Sequence, residues 1–321
     1  MKFKALVLGL GQIGMGYDLL HNPSDYIITH ARAFHQHPNF ELIGGVDVNK
    51  NNCESFTKEY SCPSFSNIKE ALHITKPDII AIALPTGEHR TAVEQIFEIA
   101  KPSVILCEKP LAYNLEDAKV IYDKCNSNSC KLYVNYMRIS DPGFAEITKR
   151  IKSEVIERPL KGVVWYSKGL FNNGSHFFSL MQSWLGEMTD YKIINSGRTW
   201  NGLDPEPDFQ VEFKHGNVTF LSAKEECFSH YTVELIAPNG RLSIEQGGAK
   251  IIWQSISEDL ITKGYITLSN NEEVIPTNMA RSQWNVVEQI AQSIMSENYN
   301  LCDGLAAIST IESLEKIRVS L

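Results

Sequence analysis

Three glycines stand at the spacing G-x-G-x-x-G in "VLGLGQIG", as Gly9, Gly11 and Gly14 directly after an apolar run, with Gln12 and Ile13 between the last two. Such a turn brings backbone amides against a pyrophosphate. One glycine allows the bend, one admits the phosphate close to the chain, and one lets the following helix pack on the strand. A helix starting there would meet the phosphate with free N–H groups and the positive end of its dipole. The spacing alone occurs often by chance, and its place after a strand-like run gives it weight. An acidic residue should close the next strand, and "GGVDVN" offers Asp47. Its carboxylate would accept hydrogen bonds from an adenosine ribose diol and repel a 2′-phosphate, which favours NAD over NADP. The interval from Gly14 to Asp47 exceeds the usual spacing of about 20 residues. The excess sits in "MGYDLLHNPSDYIIT" (15–29), expected as a loop or cap beside the cofactor phosphates or over the site.

A second stretch, "SVILCEKPLA" (103–112), places Glu108 and Lys109 at the end of an apolar run and follows them with Pro110. A solvated lysine where a buried strand surfaces is one reading. The other is a lysine at the carboxyl end of a parallel strand, where open α/β sheets bind their ligands. There it can hydrogen-bond an alcohol oxygen that becomes a carbonyl, and desolvation can bring its pKa toward neutrality.

The elements that would carry these residues follow from periodicity. Strands are expected at 3–10, 40–48, 77–85, 103–108 and 131–137, with helical spacing at 88–100 and at 114–125, where Asn114 is a suitable N-cap. Strands apolar on both faces and separated by helices imply a parallel sheet covered on both sides. After about residue 139 the pattern changes to one helical piece (142–154) and many β-like runs, two joined through the turn signals "KHGN" and "PNGR". Helices near 281–297 and 303–320 close the chain. The division expected is a dinucleotide-binding domain at 1–138 and a substrate-binding, oligomer-forming α+β domain at 139–321, built on a large, mostly antiparallel sheet.

Composition limits the functions open to such a chain. Its 321 residues suffice for two domains, and 43% hydrophobic with 21% charged residues is the balance of a folded globular protein. A formal charge of −8 with both signs interspersed leaves no basic stripe, so nucleic acid is not an expected partner. No stretch approaches the roughly 20 apolar residues of a membrane span, and "MKFKALVLGLGQIG" lacks a cleavage site, so a cytoplasmic protein is expected. Seven scattered cysteines without a CxxC pair suit free thiols in a reducing compartment. Neither "CNSNSC" nor "HQH" has a matching second ligand pair, so no metal site is expected.

Taken in order, "GLGQIG", "ALPTGEH", "CEKPLA" and "NNGSHFFSLMQSWLG" resemble the Gfo/Idh/MocA family of nicotinamide-dependent oxidoreductases, and "ELIAPNGRLSIEQGG" is similar to that family's late-sheet hairpin. The resemblance implies a Rossmann domain followed by a mixed α/β domain. It places Lys109, with Glu108 beside it, next to the nicotinamide and the reacting carbon, and His176 as acid/base on the substrate hydroxyl. Pro85, Thr86 and His89 become the loop flanking the nicotinamide ribose, although a plain strand-to-helix turn with Thr86 as N-cap fits the same residues. Arg138, Tyr166, Lys168 and Asn173 become candidates for contact with substrate. The chain departs from the commonest pattern at Asn172, where many members carry aspartate, and at Ser179, where a second aspartate is frequent. An asparagine takes no proton, so Asn172 can only orient substrate or histidine. The implied function is NAD(H)-dependent hydride transfer to or from a hydroxyl-bearing carbon of a sugar, sugar nucleotide or polyol, in a homodimer or homotetramer. The alternative is a nicotinamide-sensing regulatory protein without catalysis.

Overall fold

A computed structural model describes residues 2–321. The chain forms two compact units, one running to Ser140 and including Ala280–Ile311, the other comprising Asp141–Met279 and Glu312–Leu321. Elements of the first stretch are β1 (Phe3–Leu8), α1 (His30–Gln36), β2 (Phe40–Val46), α2 (Lys50–Tyr60), β3 (Ser64–Phe65), α3 (Ile68–Thr75), β4 (Ile79–Ile82), α4 (His89–Ile99), β5 (Val104–Cys107), α5 (Leu115–Ser127) and β6 (Lys131–Val134). The second unit holds α6 (Pro142–Lys152), β7 (Leu160–Tyr166), α7 (Ser175–Leu185), β8 (Met188–Trp200), β9 (Asp204–Phe213), β10 (Gly216–Ser222), β11 (Thr232–Ala237), β12 (Gly240–Glu245), β13 (Lys250–Glu258), β14 (Ile266–Leu268) and β15 (Glu273–Ile275). α8 (Ser282–Ile294), β16 (Cys302–Asp303) and α9 (Gly304–Val319) follow.

The first sheet runs β16-β6-β5-β4-β1-β2-β3, parallel except for β16. This is the doubly wound order in which chain direction reverses between β1 and β4, and ligands bind beyond the carboxyl ends of the strands at that point. Apolar residues alternate between its two faces. Ala5, Val7, Ile79, Ala81, Val104 and Leu106 pack toward α1, α2 and α8, and Leu6, Leu8, Ile80, Ile82, Ile105 and Cys107 toward α3, α4 and α5. Every residue of β4 and β5 is without exposed surface, as strands covered on both faces require.

Residues Ala280–Ile311 correct the expected boundary, since everything after 138 was assigned to the second domain. Val286, Val287, Ile290 and Ala291 of α8 join the cluster under α1, and β16 adds an antiparallel edge to β6 through Cys302 opposite Val134. Helical periodicity marks an apolar face without saying which sheet it covers.

In the second unit nine strands form one sheet, ordered β14-β13-β12-β11-β7-β10-β9-β8 with β15 paired to β13. The signals "KHGN" and "PNGR" close hairpins between β9 and β10 and between β11 and β12. β7 and β10 run parallel, so the sheet is mostly rather than wholly antiparallel. One face packs on α6 and α7 through a core that includes Phe144, Phe177, Phe178, Trp184, Phe209 and Phe220. Trp165, Glu234 and Ile236 lie exposed. Among the described residues no helix is long and apolar enough to cross a membrane.

Candidate active site

The turn after β1 is built by backbone constraints. Gly9 has φ +92°, and a Cβ there would stand 2.4 Å from the Ala83 carbonyl oxygen at the end of β4. A Cβ on Gly14 would lie 1.9 Å from the Gly9 oxygen, whereas one on Gly11 would meet nothing within 4 Å. Two glycines therefore close the turn, and the third leaves open space above it. The amides of Gly11, Gln12 and Ile13 make no hydrogen bond within the described residues. Asp47, just past β2, accepts from the Leu10 amide at 2.8 Å and the Asn49 amide at 2.7 Å, which fixes the acid against the same turn.

The helix expected directly after Gly14 is absent. A single 3-10 turn, Gly16–Asp18, takes its place, and regular helix begins at His30. The insertion at 15–29 separates them, so free amides rather than a long helix dipole face any phosphate. The insertion returns on a buried anchor. The Asp18 carboxylate accepts from the Ile28 amide at 2.9 Å and the Thr29 amide at 3.0 Å, and Arg32 lies 3.5 Å from it. Thr29 caps α1.

That anchor delivers His30. Its amide donates to Ile13 O at 3.1 Å, and its ring Nε2 lies 2.7 Å from Oε1 of Glu108. Asn135, beyond β6, donates to the same carboxylate oxygen at 2.6 Å and to Gln283 of α8 at 3.2 Å. The Lys109 amide donates to Oε2 at 3.3 Å. Burial would push the Glu108 carboxyl up, but the hydrogen bonds from His30 and Asn135, with the charges of His30 and Lys109, hold it below the ordinary range. Glu108, expected at the cofactor, is instead committed behind Lys109.

The loops beside it are sorted by burial. Pro85 is exposed and Thr86 half-buried at the start of a 3-10 turn. His89 has no exposed surface, and its two ring nitrogens each lie 3.0 Å from a backbone carbonyl, Leu84 and Leu111. Burial lowers its pKa, and it braces the loop after β4 against the loop after Lys109 rather than presenting to a cofactor. Arg138 is buried in the short helix Met137–Ser140.

In the second unit a π-helical turn, Gly169–Gly174, leads into α7 and brings Asn172, Asn173 and His176 into succession. π-turns of this kind recur at functional sites. Two carboxylates of β9 hold it from beneath. Asp204 accepts from the Phe171 amide at 3.0 Å and the Asn172 amide at 2.8 Å, and the fully buried Glu206 accepts from the Gly169 amide at 3.0 Å and from Arg198 at 2.7 Å. Gly169 has φ +82°, and a Cβ on it would stand 2.2 Å from the Asp204 carboxylate. Burial pushes the Asp204 carboxyl up against the pull of these amides. His176 and Ser179 are buried on α7. Asn173 donates to the Tyr231 hydroxyl at 2.8 Å, and Lys168 pairs with Glu225 at 2.9 Å. Tyr166 departs from its expected role as a substrate contact. It is fully buried in the core, and its hydroxyl donates to Pro207 O at 2.6 Å.

Residues 3–136 match the oxidoreductase family with an NAD-binding Rossmann fold, Gfo/Idh/MocA. Curated relatives include glucose-6-phosphate 3-dehydrogenase of Bacillus subtilis (strain 168), 32% identical over 35% of this chain and 33% of that protein. Another is scyllo-inositol 2-dehydrogenase (NAD(+)) of the same organism, 27% identical over 49% of this chain and 42% of that protein. The matched stretches thus span less than half of either relative. Two solved structures share the fold over nearly the whole chain, each at 14% identity and a TM-score of 0.77. One is the WlbA dehydrogenase of Bordetella pertussis with NADH and UDP-GlcNAcA, covering 99% of this chain and 95% of that one. The other is aldose-aldose oxidoreductase of Caulobacter crescentus with glycerol, covering 100% and 98%.

The turn fits a dinucleotide. Free amides at Gly11 to Ile13 and the open space over Gly11 suit a pyrophosphate, and Asp47 suits a ribose diol. The glycines also separate folding from binding. Gly11→Val should leave the thermal midpoint within about 2 °C of wild type while the NADH dissociation constant rises at least roughly 100-fold. Gly14→Ala, forced against the Gly9 carbonyl, should lower that midpoint clearly. Scanning calorimetry with NADH fluorescence titration checks both, and retained binding in Gly11→Val would make the turn purely structural.

Proposed function

We propose that this chain is an NAD(H)-dependent oxidoreductase that moves hydride to or from a hydroxyl-bearing carbon of a sugar, sugar nucleotide or polyol. The observation that carries the reading is Lys109 at the carboxyl end of β5, in the same unit as an amide-lined turn and with an ionised carboxylate committed behind it. The relatives named for glucose 6-phosphate and scyllo-inositol dehydrogenation, and the structural neighbour holding UDP-GlcNAcA, support the substrate class.

The nicotinamide supplies the hydride acceptor or donor. Lys109 hydrogen-bonds the substrate oxygen that passes between hydroxyl and carbonyl. His176 takes the proton as hydride leaves the same carbon and returns it in the reverse direction. Asn172 has no proton to exchange and orients substrate through its amide. Asn173, held by Tyr231, and Arg138 supply further polar contacts, while Lys168 reaches substrate only as part of its pair with Glu225. Self-association through the strand face that carries Trp165 and Ile236, in a reducing compartment suited to seven free cysteines, completes the proposal.

Asp47 favours NAD over NADP. A 2′-phosphate brought against its carboxylate should cost on the order of 1–3 kcal/mol, so NADH should bind at least about tenfold more tightly than NADPH. Equal or reversed dissociation constants would remove this assignment. Lys109→Ala and His176→Ala should each lower kcat by roughly 10²–10⁴-fold with the NADH dissociation constant within a few-fold of wild type, and the double variant should be little worse than the worse single one. Steady-state kinetics across a sugar and sugar-nucleotide panel provide the readout. A wild type that binds NADH, turns over none of the panel and changes its affinity for another macromolecule would be a nicotinamide-sensing regulator.

A further inference from the structure

We propose that His30 is a positioning residue for Lys109, acting through the buried carboxylate of Glu108. This deepens the reading of Lys109 as the lysine that serves the reaction.

His30 stands at the junction of three devices. Its backbone is bonded to the glycine turn through Ile13 O, and the next amide, Ala31, donates to Gly14 O at 2.9 Å. The residue before it, Thr29, is clamped by Asp18 through both amide and hydroxyl. Its side chain reaches across to Glu108 at 2.7 Å, and Glu108 in turn accepts the amide of Lys109. The insertion at 15–29 therefore separates the helix from the glycine turn and still returns an imidazole to the end of β5. Glu108 also takes the amide of Asn135, so its carboxylate is held from α1, from the segment after β6, and, behind Asn135, from α8.

A carboxylate this buried stays ionised only while its partners remain. Four titratable groups face it: His30 from α1, His89 from α4, and Cys107 and Lys109 from its own strand end. Burial lowers the His89 pKa and pushes the Cys107 thiol well up, so both are neutral near pH 7. The charge state of Glu108 is left to His30, Lys109 and the side-chain amide of Asn135. Lys109 helps to hold Glu108 ionised, so His30 supports the carboxylate that meets Lys109 through both charge and backbone amide. His30 Nδ1 is buried and makes no hydrogen bond among the described residues, so the only polar partner of the ring is Glu108.

The test reads Lys109 directly in the apoprotein, by NMR titration of reductively 13C-dimethylated lysines, with the Lys109 signal assigned by its loss in Lys109→Arg. Glu108→Gln removes the anion beside Lys109 and His30→Leu removes a partner that keeps it ionised, so each should lower the Lys109 titration midpoint by at least about half a unit. His30→Asn, which keeps a donor for Glu108, should return the midpoint toward wild type. Glu108→Gln retains shape and hydrogen-bonding capacity, so it reports even where His30→Leu fails to fold. An unchanged midpoint in a folded His30→Leu, or in Glu108→Gln, with circular dichroism and NADH affinity intact, would overturn the proposal. The midpoint moves whether or not any sugar is turned over, so a failure of the functional reading shows separately, as wild type without turnover. With substrate in hand, His30→Leu should reduce kcat by about 10–100-fold and displace its pH profile while the KM for NADH stays within a few-fold.

Discussion

A carboxylate cannot remain charged in the interior without partners, and the first domain is arranged around one that does. Glu108 ends a strand with no exposed surface, so its two oxygens must be satisfied by groups brought from elsewhere in the chain. They come from His30 and Asn135, far from it in sequence, with the neighbouring Lys109 amide as the third donor. Each partner has its own support. His30 depends on the Asp18 clamp and the glycine-turn carbonyls, and Asn135 on Gln283 of a helix that returns after the whole second unit. The glycine turn and the lysine are thereby held by one chain of hydrogen bonds.

The second unit solves a similar problem with the opposite polarity. A π-helical turn leaves amides without helical partners, and Asp204 and Glu206 supply acceptors from β9. The carboxylates are stabilised by the amides and the amides by the carboxylates. Asn172 is anchored by its backbone to an acid although its own side chain is not one. In both units the residues proposed to contact substrate are presented by buried charge rather than by loose loops.

Much of this was legible in the sequence because it rests on local patterns. The alternation of apolar strands with helices implied the doubly wound sheet, the turn signals implied the hairpins, and Asn114 caps α5 through the Asp117 amide as its type and place suggest. What was not legible depends on contacts between distant segments. His30 reads as an ordinary helical residue until the sheet order puts α1 against the end of β5. Acids at 204, 206 and 208 alternate along one strand, a signal that they share a side, but only the fold shows that Glu206 is buried beneath a turn. Tyr166 and His89 have the sequence neighbours of site residues, and packing turns both inward. The return of α8 to the first domain has no local signature, because its apolar face would suit either sheet.

The proposed chemistry is the passage of a hydride between a nicotinamide and a carbohydrate carbon. The most direct measurement is isotopic. Protein incubated with NADH deuterated at the nicotinamide C4, in both stereochemical forms, and with keto-sugars and keto-sugar nucleotides should place one deuterium on a carbon that becomes hydroxyl-bearing, detected by mass spectrometry and located by NMR. Binding of NADH without deuterium appearing in any carbohydrate would contradict the account.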